Sequence, residues 1–180
     1  MANHIDYGPL QALIGVWKGD KGLDVAPEPN GSEDNPYHET MTFEAVGDVK
    51  NAASQCLVVI RYHQVVQRKS NGETFHDQIG YWMWDSEKGT VMHSLMIPRA
   101  VTLLAGGVPS NDGVLEVAAK AGNEDWGILQ SPFMRDNART TEFTQKVEVS
   151  GNRLSYFQTT MIDIYGKSFE HTEQNELIRQ

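Results

Sequence analysis

The sequence has one cysteine, Cys56, in 180 residues. A single thiol forms neither an intramolecular disulfide nor a thiolate metal cluster, which is typical of a chain kept in a reducing compartment. No apolar run approaches the length needed to cross a membrane, and the first residues lack the basic stretch and apolar core of a secretory signal. We therefore predict a soluble, cytoplasmic protein that has no membrane partner.

Clustered positive charge is also missing. The chain carries 15 Lys and Arg residues against 24 Asp and Glu residues, for a formal net charge of −9. Binding to a phosphate backbone requires cations grouped along one face, and the basic residues here are scattered. This distribution excludes a nucleic-acid partner.

Signatures of common enzyme classes are absent as well. The sequence contains no Gly-x-x-x-x-Gly-Lys-Ser/Thr phosphate loop, no Gly-x-Ser-x-Gly elbow and no His-Glu-x-x-His zinc helix. The histidines follow no helical ligand spacing; they stand at positions 4, 38, 63, 76, 93 and 171. The spacing alone therefore gives no support to a site for a free metal ion.

What the chain does contain is a strand pattern. Apolar residues recur mostly at every second position, which is the period of antiparallel strands with one face inward. The pattern predicts about ten strands, the first of which opens at Gly15. The others are predicted over about 37–45, 55–68, 74–85, 90–97, 100–105, 114–119, 139–149, 153–161 and 168–178. Before the first strand, Pro9 favours a short N-terminal helical turn over 8–14.

The strands are predicted to pair in sequence order, because the turns at 70–72, 87–89 and 150–152 contain glycine where a hairpin needs positive φ. About ten strands in this order favour an all-β, closed up-and-down antiparallel barrel, since closure removes exposed edges. A barrel of that width predicts a cavity for a small-molecule ligand. A two-sheet sandwich with a solid core is the alternative that the same strands allow.

Residues 23–36 break the alternation. The segment holds prolines at 27, 29 and 36 together with four acids from Asp24 onward. This composition is typical of a loop. We predict a single β-barrel domain over residues 1–180, with 23–36 as an acidic, proline-containing loop insertion.

Two segments at opposite ends of the chain stand out. The run 15–19 is a Gly-x-Trp-x-Gly pattern, and Trp17, between Gly15 and Gly19, is predicted to plug one end of the barrel. Near the other end of the chain, Met161 and His171 stand ten residues apart. Together the two ends suggest a haem pocket closed by strands.

The environment of His171 follows from alternation, which places Phe169, His171 and Glu173 on one face of a strand. A neutral imidazole is a good ligand for haem iron. If that face is interior, Glu173 must lie near the rim or meet a partner, because a lone buried carboxylate is costly. A core or rim histidine satisfied by a hydrogen bond is the alternative on the residues alone.

With these motifs the chain resembles the nitrobindin group, small haem-binding β-barrels of the calycin type that are related in shape to fatty-acid-binding proteins and lipocalins. The likeness runs over nearly the whole chain. It is carried in order by the run 15–19, Tyr37-His38-Glu39 before Phe43, His76 to Tyr81, Pro98, Gly107, Leu154-Ser155-Tyr156 and the Met161 to His171 spacing.

The resemblance implies one haem b per chain, with His171 as the axial iron ligand. It also implies that His76 lies near the other face of the haem and that Met161 lines the pocket. On the residues alone, His76 equally fits a polar outer face and Met161 fits ordinary core filling. Phe169 is expected to pack on the porphyrin. Arg139 is a candidate partner for a haem propionate, and a solvated surface arginine is the alternative.

The chain departs from the family pattern at several positions. Lys21 stands where the family has a third glycine, and the acidic segment 23–36 replaces a Pro-Thr-Ile segment near the haem. Gln78 stands where an acid is expected, and Met83 where an arginine is expected. The contribution of the first hairpin to the pocket therefore cannot be carried over from the family.

The resemblance further implies that the iron binds nitric oxide and that the ferric form isomerises peroxynitrite to nitrate. The competing hypothesis is a non-catalytic carrier of a fatty acid or another apolar molecule, which requires an inward cation at Arg61 or Arg139. A third hypothesis is a partner-binding module whose mouth is blocked by residues 23–36. The sequence leaves a homodimer open.

Overall fold

The computed structural model describes residues 5–180; His4 and the residues before it lie outside the described part. The helices are η1 (Gly8–Leu13) and α1 (Pro132–Asn137). The strands are β1 (Gly15–Glu28), β2 (Gly31–Ala52), β3 (Gln55–Arg68), β4 (Thr74–Asp85), β5 (Thr90–Ile97), β6 (Val101–Gly107), β7 (Leu115–Lys120), β8 (Ile128–Gln130), β9 (Ala138–Ser150), β10 (Arg153–Ile164) and β11 (Lys167–Arg179). Neither helix within 5–180 has the length and apolar character needed to cross a bilayer.

Ten of these strands close into one antiparallel ring. Their order is β5-β4-β3-β2-β1-β11-β10-β9-β7-β6, and β6 pairs back onto β5. The short strand β8 pairs with the start of β6. The predicted closed barrel of about ten strands with a short N-terminal helical turn is confirmed. Closure of the ring excludes the two-sheet sandwich.

The segment 23–36 is not the predicted loop. Strands β1 and β2 continue through it and meet at a turn over 29–30. Pro27 and Pro36 fit these strands because each lies where its strand has a single neighbour. The ladder of β1 with β11 ends at Val25, and the ladder of β2 with β3 begins at Tyr37. A proline at such a place removes no ladder hydrogen bond, so a strand can contain it. The loop prediction was wrong because it rested on composition alone.

A one-residue bulge in β1 decides which side chains of this hairpin face the interior. Between Gly19 and Leu23, β1 advances four residues while β11 advances three. A shift of one residue exchanges the two faces of a strand. Trp17, before the bulge, and Asp24, after it, are therefore both inward and both buried, although their separation in sequence is odd.

One end of the barrel, called here the plug end, is closed by η1 and Trp17. Trp17 is fully buried, and its Nε1 donates to the carbonyl of Leu13 at 2.7 Å. Gly15 has a φ of 136°, a conformation that glycine adopts readily. A Cβ atom at Gly19 would lie 2.7 Å from Nδ2 of Asn175. Glycine at position 19 thus lets the Asn175 side chain pack against the β1 backbone.

The interior changes from apolar to polar along the barrel axis. Leu10, Leu13, Leu154 and Leu177 surround Trp17 with almost no exposed surface. Inward polar side chains fill the opposite half, called here the polar end. They are Asp24, Asn35, Glu39, Gln64, Gln78, Gln145, Gln158, His171, Glu173 and Asn175. Most of the buried polar side chains of this barrel therefore lie at one end.

Candidate functional site

His171 lies at the polar end, on the inward face of β11. Its Nε2 is 2.5 Å from Oδ1 of Asp24 and 3.6 Å from Oε1 of Glu173. The imidazole side chain is 20% exposed, whereas the side chains of Asp24 and Glu173 are 6% and 11% exposed. Two buried carboxylates thus face the same imidazole nitrogen, which belongs to a partly exposed side chain.

The protonation of His171 follows from these neighbours. Burial by itself lowers the pKa of His171, because a charged imidazole is disfavoured away from water. The hydrogen bond to Asp24 and the charges of Glu173 and Asp24 act in the opposite direction and outweigh burial. The pKa of His171 is therefore above its ordinary value, and the cationic form is favoured.

Each carboxylate beside His171 is held by an amide from a neighbouring strand. Oδ2 of Asp24 accepts from Nδ2 of Asn35 at 3.1 Å, and Oε2 of Glu173 accepts from Nε2 of Gln158 at 3.0 Å. The Oδ1 atom of Asn35 in turn accepts from the Arg68 guanidinium. One oxygen of each acid is thus fixed, and the other is turned toward His171.

A second buried acid lies deeper in the polar end. Glu39 accepts from Nε2 of Gln64 at 2.7 Å, from Nδ2 of Asn175 at 2.7 Å and from the hydroxyl of Tyr156 at 3.1 Å. Burial raises the pKa of Glu39 to about 8, although the donors from Asn175 and Tyr156 act in the opposite direction. The Tyr156 hydroxyl also lies 2.6 Å from that of Tyr37. Glu39 is therefore a carboxyl group that holds its proton at neutral pH.

His93 occupies the centre of the barrel. It is stacked on Trp82 at a centroid distance of 4.1 Å, and it lines a cavity of about 10 Å³. Neither ring nitrogen has a hydrogen-bond partner among the described residues, and neither has Oε1 of Gln145 on the same cavity. Burial lowers the pKa of His93 to about 3, with Gln145 acting in the opposite direction. His93 is therefore neutral at physiological pH.

The structure brings together some of the residues predicted for the pocket. Phe169 and His171 share the inward face of β11, on the same strand as Glu173. His76 faces inward from β4, where its Nε2 lies 3.3 Å from Oε1 of Gln78. Phe169, His171 and His76 are all partly exposed, so the outer rim of the polar end is open to an approaching molecule.

Met161 and Arg139 are not placed in the pocket. Met161 pairs across the sheet with Glu170, which is exposed, whereas Thr160 pairs with His171. Directly paired residues lie on the same face of a sheet, so Met161 is on the outward side. Arg139 is exposed and pairs with Asp163, also on the outward side. This corrects the predicted pocket position of Met161, and it places Arg139, the candidate propionate partner, on the outer surface.

The two arginines that the carrier hypothesis named do not lie inside the barrel. Arg61 donates to Oε2 of Glu44 at 2.7 Å on the exposed face of the barrel, with 59% of its side chain accessible. Arg139 is exposed as well. Neither guanidinium is positioned to hold a carboxylate head group in the interior.

Asp24 was not predicted as a site residue. It was assigned to a loop, and strict alternation from Trp17 would have turned it outward. The bulge between Gly19 and Leu23 reverses that direction. The sequence signal for it is Gly22, where a Cβ atom would lie 2.0 Å from the ring of Tyr37.

Comparison with known proteins supports this architecture. A family model described as "THAP4-like, heme-binding beta-barrel domain" matches residues 6–179. The crystal structure of Rv2717c from M. tuberculosis superposes with a TM-score of 0.71 at 23% identity, covering 98% of this chain and 99% of that one. At that identity the likeness shows the fold. No curated protein sequence matches the chain.

Proposed function

Because this chain belongs to the THAP4-like, heme-binding β-barrel domain family, we propose that it binds one haem b at the polar end, with His171 as the axial iron ligand. The observation that carries the proposal is the position of His171. It is an inward imidazole on the rim of the barrel, and it is partly open to the outside. A histidine nitrogen is a common protein ligand of haem iron.

The donor set fits haem at the rim of the polar end and does not fit haem at the centre of the barrel. The central cavity of about 10 Å³ has room for one water molecule. The partly exposed rim offers imidazoles from His171 and His76 and the aromatic ring of Phe169. These residues would hold the group, with Phe169 contributing apolar contact.

Asp24 controls the nitrogen that would bind iron. Its carboxylate engages Nε2 of His171 at 2.5 Å. Ligation through Nε2 therefore requires Asp24 to release that atom. On the opposite wall, Oε1 of Gln78 accepts from Nε2 of His76, which fixes the proton of His76 on that nitrogen.

We propose further that the ligand of the loaded protein is a small nitrogen oxide, either nitric oxide or peroxynitrite, with conversion of peroxynitrite to nitrate by the ferric form. Haem, when bound, would supply a redox-active iron. The chain would supply an imidazole ligand at a rim that a small molecule can reach. The outward positions of Arg61 and Arg139 remove the two cations that the carrier hypothesis named.

Titration with ferric haem, followed in the Soret band, tests the proposal. Wild type should give a saturable one-to-one shift, and His171→Ala should lose most of the affinity because the axial bond is gone. His63→Ala is the matched control, since His63 lies on the exposed face beside Asp77. Equal affinity of wild type and His171→Ala would remove His171 from the site. Nitrate yield from peroxynitrite with the ferric protein then tests the reaction.

A further inference from the structure

We propose that Asp24, His171 and Glu173 also form a site for a divalent transition-metal ion in the haem-free chain. This site goes beyond the proposed haem function and does not depend on it. One ligand atom from each residue lies within 4.8 Å of the other two. The three atoms are Oδ1 of Asp24, Nε2 of His171 and Oε1 of Glu173.

The fold holds these ligand atoms in place from outside the cluster. Asn35 fixes the second oxygen of Asp24, and Gln158 fixes the second oxygen of Glu173. Carboxylate ligands of metal ions are typically oriented by such hydrogen bonds. The two remaining oxygens are left facing the same imidazole nitrogen, and this is the arrangement that a shared cation requires.

The charge of the cluster also favours a bound metal ion. Two buried carboxylates face a single imidazole, which has only one proton at Nε2 to share between them. Within residues 5–180, neither Asp24 nor Glu173 forms an ion pair with a lysine or arginine. Arg68 contacts the amide of Asn35 instead. Buried carboxylates are costly unless they are paired or coordinate a metal, and one divalent ion would satisfy both.

The donor set selects the class of metal. One imidazole and two carboxylates suit a transition-metal ion, whereas Mg²⁺ and Ca²⁺ prefer sites made only of oxygen. Ligands at about 2.0–2.2 Å from Zn²⁺ in a tetrahedral site lie about 3.3 Å apart. The 3.6 Å contact to Glu173 is close to that spacing, and the 2.5 Å contact to Asp24 must open by less than an ångström. Three protein ligands leave one position for water.

The test uses the haem-free protein after treatment with a chelator. Zn²⁺ is titrated calorimetrically into wild type, Asp24→Asn and Glu173→Gln, and Co²⁺ binding is followed by its visible absorption. We expect one Zn²⁺ per chain and at least tenfold weaker binding in each variant. Asp77→Asn, at the exposed contact of His63 with Asp77, should bind as wild type does.

A measurement on wild type keeps the test decisive if the variants fail to fold. The imidazole NMR signals of His171 should shift at one equivalent of Zn²⁺. The proposal is overturned if wild type binds no stoichiometric Zn²⁺, if those signals stay unchanged, or if the two variants bind as tightly as wild type. The haem titration is read separately in the Soret band. If wild type binds Zn²⁺ but shows no Soret shift with haem, only the haem proposal is overturned.

Discussion

The two ends of the barrel are built from the same strands and contain opposite chemistry. At the plug end, Trp17 and four leucines leave almost no surface exposed. At the polar end, Asp24, Glu39 and Glu173 lie inside the same sheet, held by amide and hydroxyl donors. The contrast separates apolar packing at one end from buried acidic groups at the other. Because the strands run the length of the barrel, substitutions at each end can test that division.

The largest effect is expected at the plug end. Trp17→Ala should lower the free energy of unfolding by about 3–5 kcal/mol, because it removes a fully buried ring and leaves a cavity. Urea denaturation measures it. Phe157→Ala is the control, since Phe157 is 46% exposed, and it should change stability by less than about 0.5 kcal/mol. Similar losses in the two variants would show that the plug does not stabilise the fold.

The second-largest effect is expected for Glu39, a buried acid of the polar end, and concerns the pH dependence of stability. The pKa of Glu39 is raised from its ordinary value of 4.5 to about 8, so between these values the folded chain keeps a proton that the unfolded chain has lost. Stability should therefore fall as pH rises through this window, by about 1.4 kcal/mol per pH unit.

Glu39→Gln removes that titration. The difference in unfolding free energy between wild type and Glu39→Gln, measured from pH 5 to 8, should then change with the slope given above. A difference that is constant with pH would mean that Glu39 is ionised in the folded protein despite its burial.

Some of this division could be predicted from the sequence. Alternation grouped Phe169, His171 and Glu173 on one face of β11, and the structure confirms that grouping. Alternation did not decide which face is interior, because that depends on how the strands close into a barrel. Alternation gives the wrong direction for the Asp24 side chain, because a bulge changes the register and no periodic pattern records it.

Met161 shows a different limit. It was chosen by its ten-residue separation from His171 in a family pattern. In this chain β10 and β11 are joined by a two-residue turn at 165–166, so directly paired residues have odd separations, as Thr160 and His171 do. A separation of ten therefore places the two side chains on opposite faces. Prediction of such a contact requires the turn length, which motif spacing does not contain.

A smaller effect is expected for haem binding when Asp24 is changed. Asp24→Asn replaces a charge-assisted hydrogen bond to Nε2 of His171 by a neutral one, a difference of about 1 kcal/mol. If Asp24 must release that nitrogen, haem affinity should rise about fivefold. The Soret titration measures it. Because the same variant is expected to weaken Zn²⁺ binding, the two ligands should respond with opposite signs. A fall in haem affinity would mean that Asp24 supports ligation instead.

The smallest effect on stability is expected at His93, in the centre of the barrel. His93→Phe keeps the stack on Trp82 and removes two ring nitrogens that lack partners. Stability should rise by about 1 kcal/mol, because an unsatisfied buried polar group costs about that much or more. His38→Phe, on the exposed face of β2, is the control and should be close to neutral. A loss of stability in His93→Phe would show that a bound water already satisfies the imidazole.

The bulge in β1 makes strand register, and not only residue identity, a determinant of what the barrel holds. If β1 continued from Gly19 in unbroken register with β11, Leu23 and Val25 would face the interior and Asp24 would turn to the solvent. The extra residue between Gly19 and Leu23 prevents this and keeps Asp24 inside. Barrels of this kind can thus exchange an acidic lining for an aliphatic one through a change of register, without a series of substitutions.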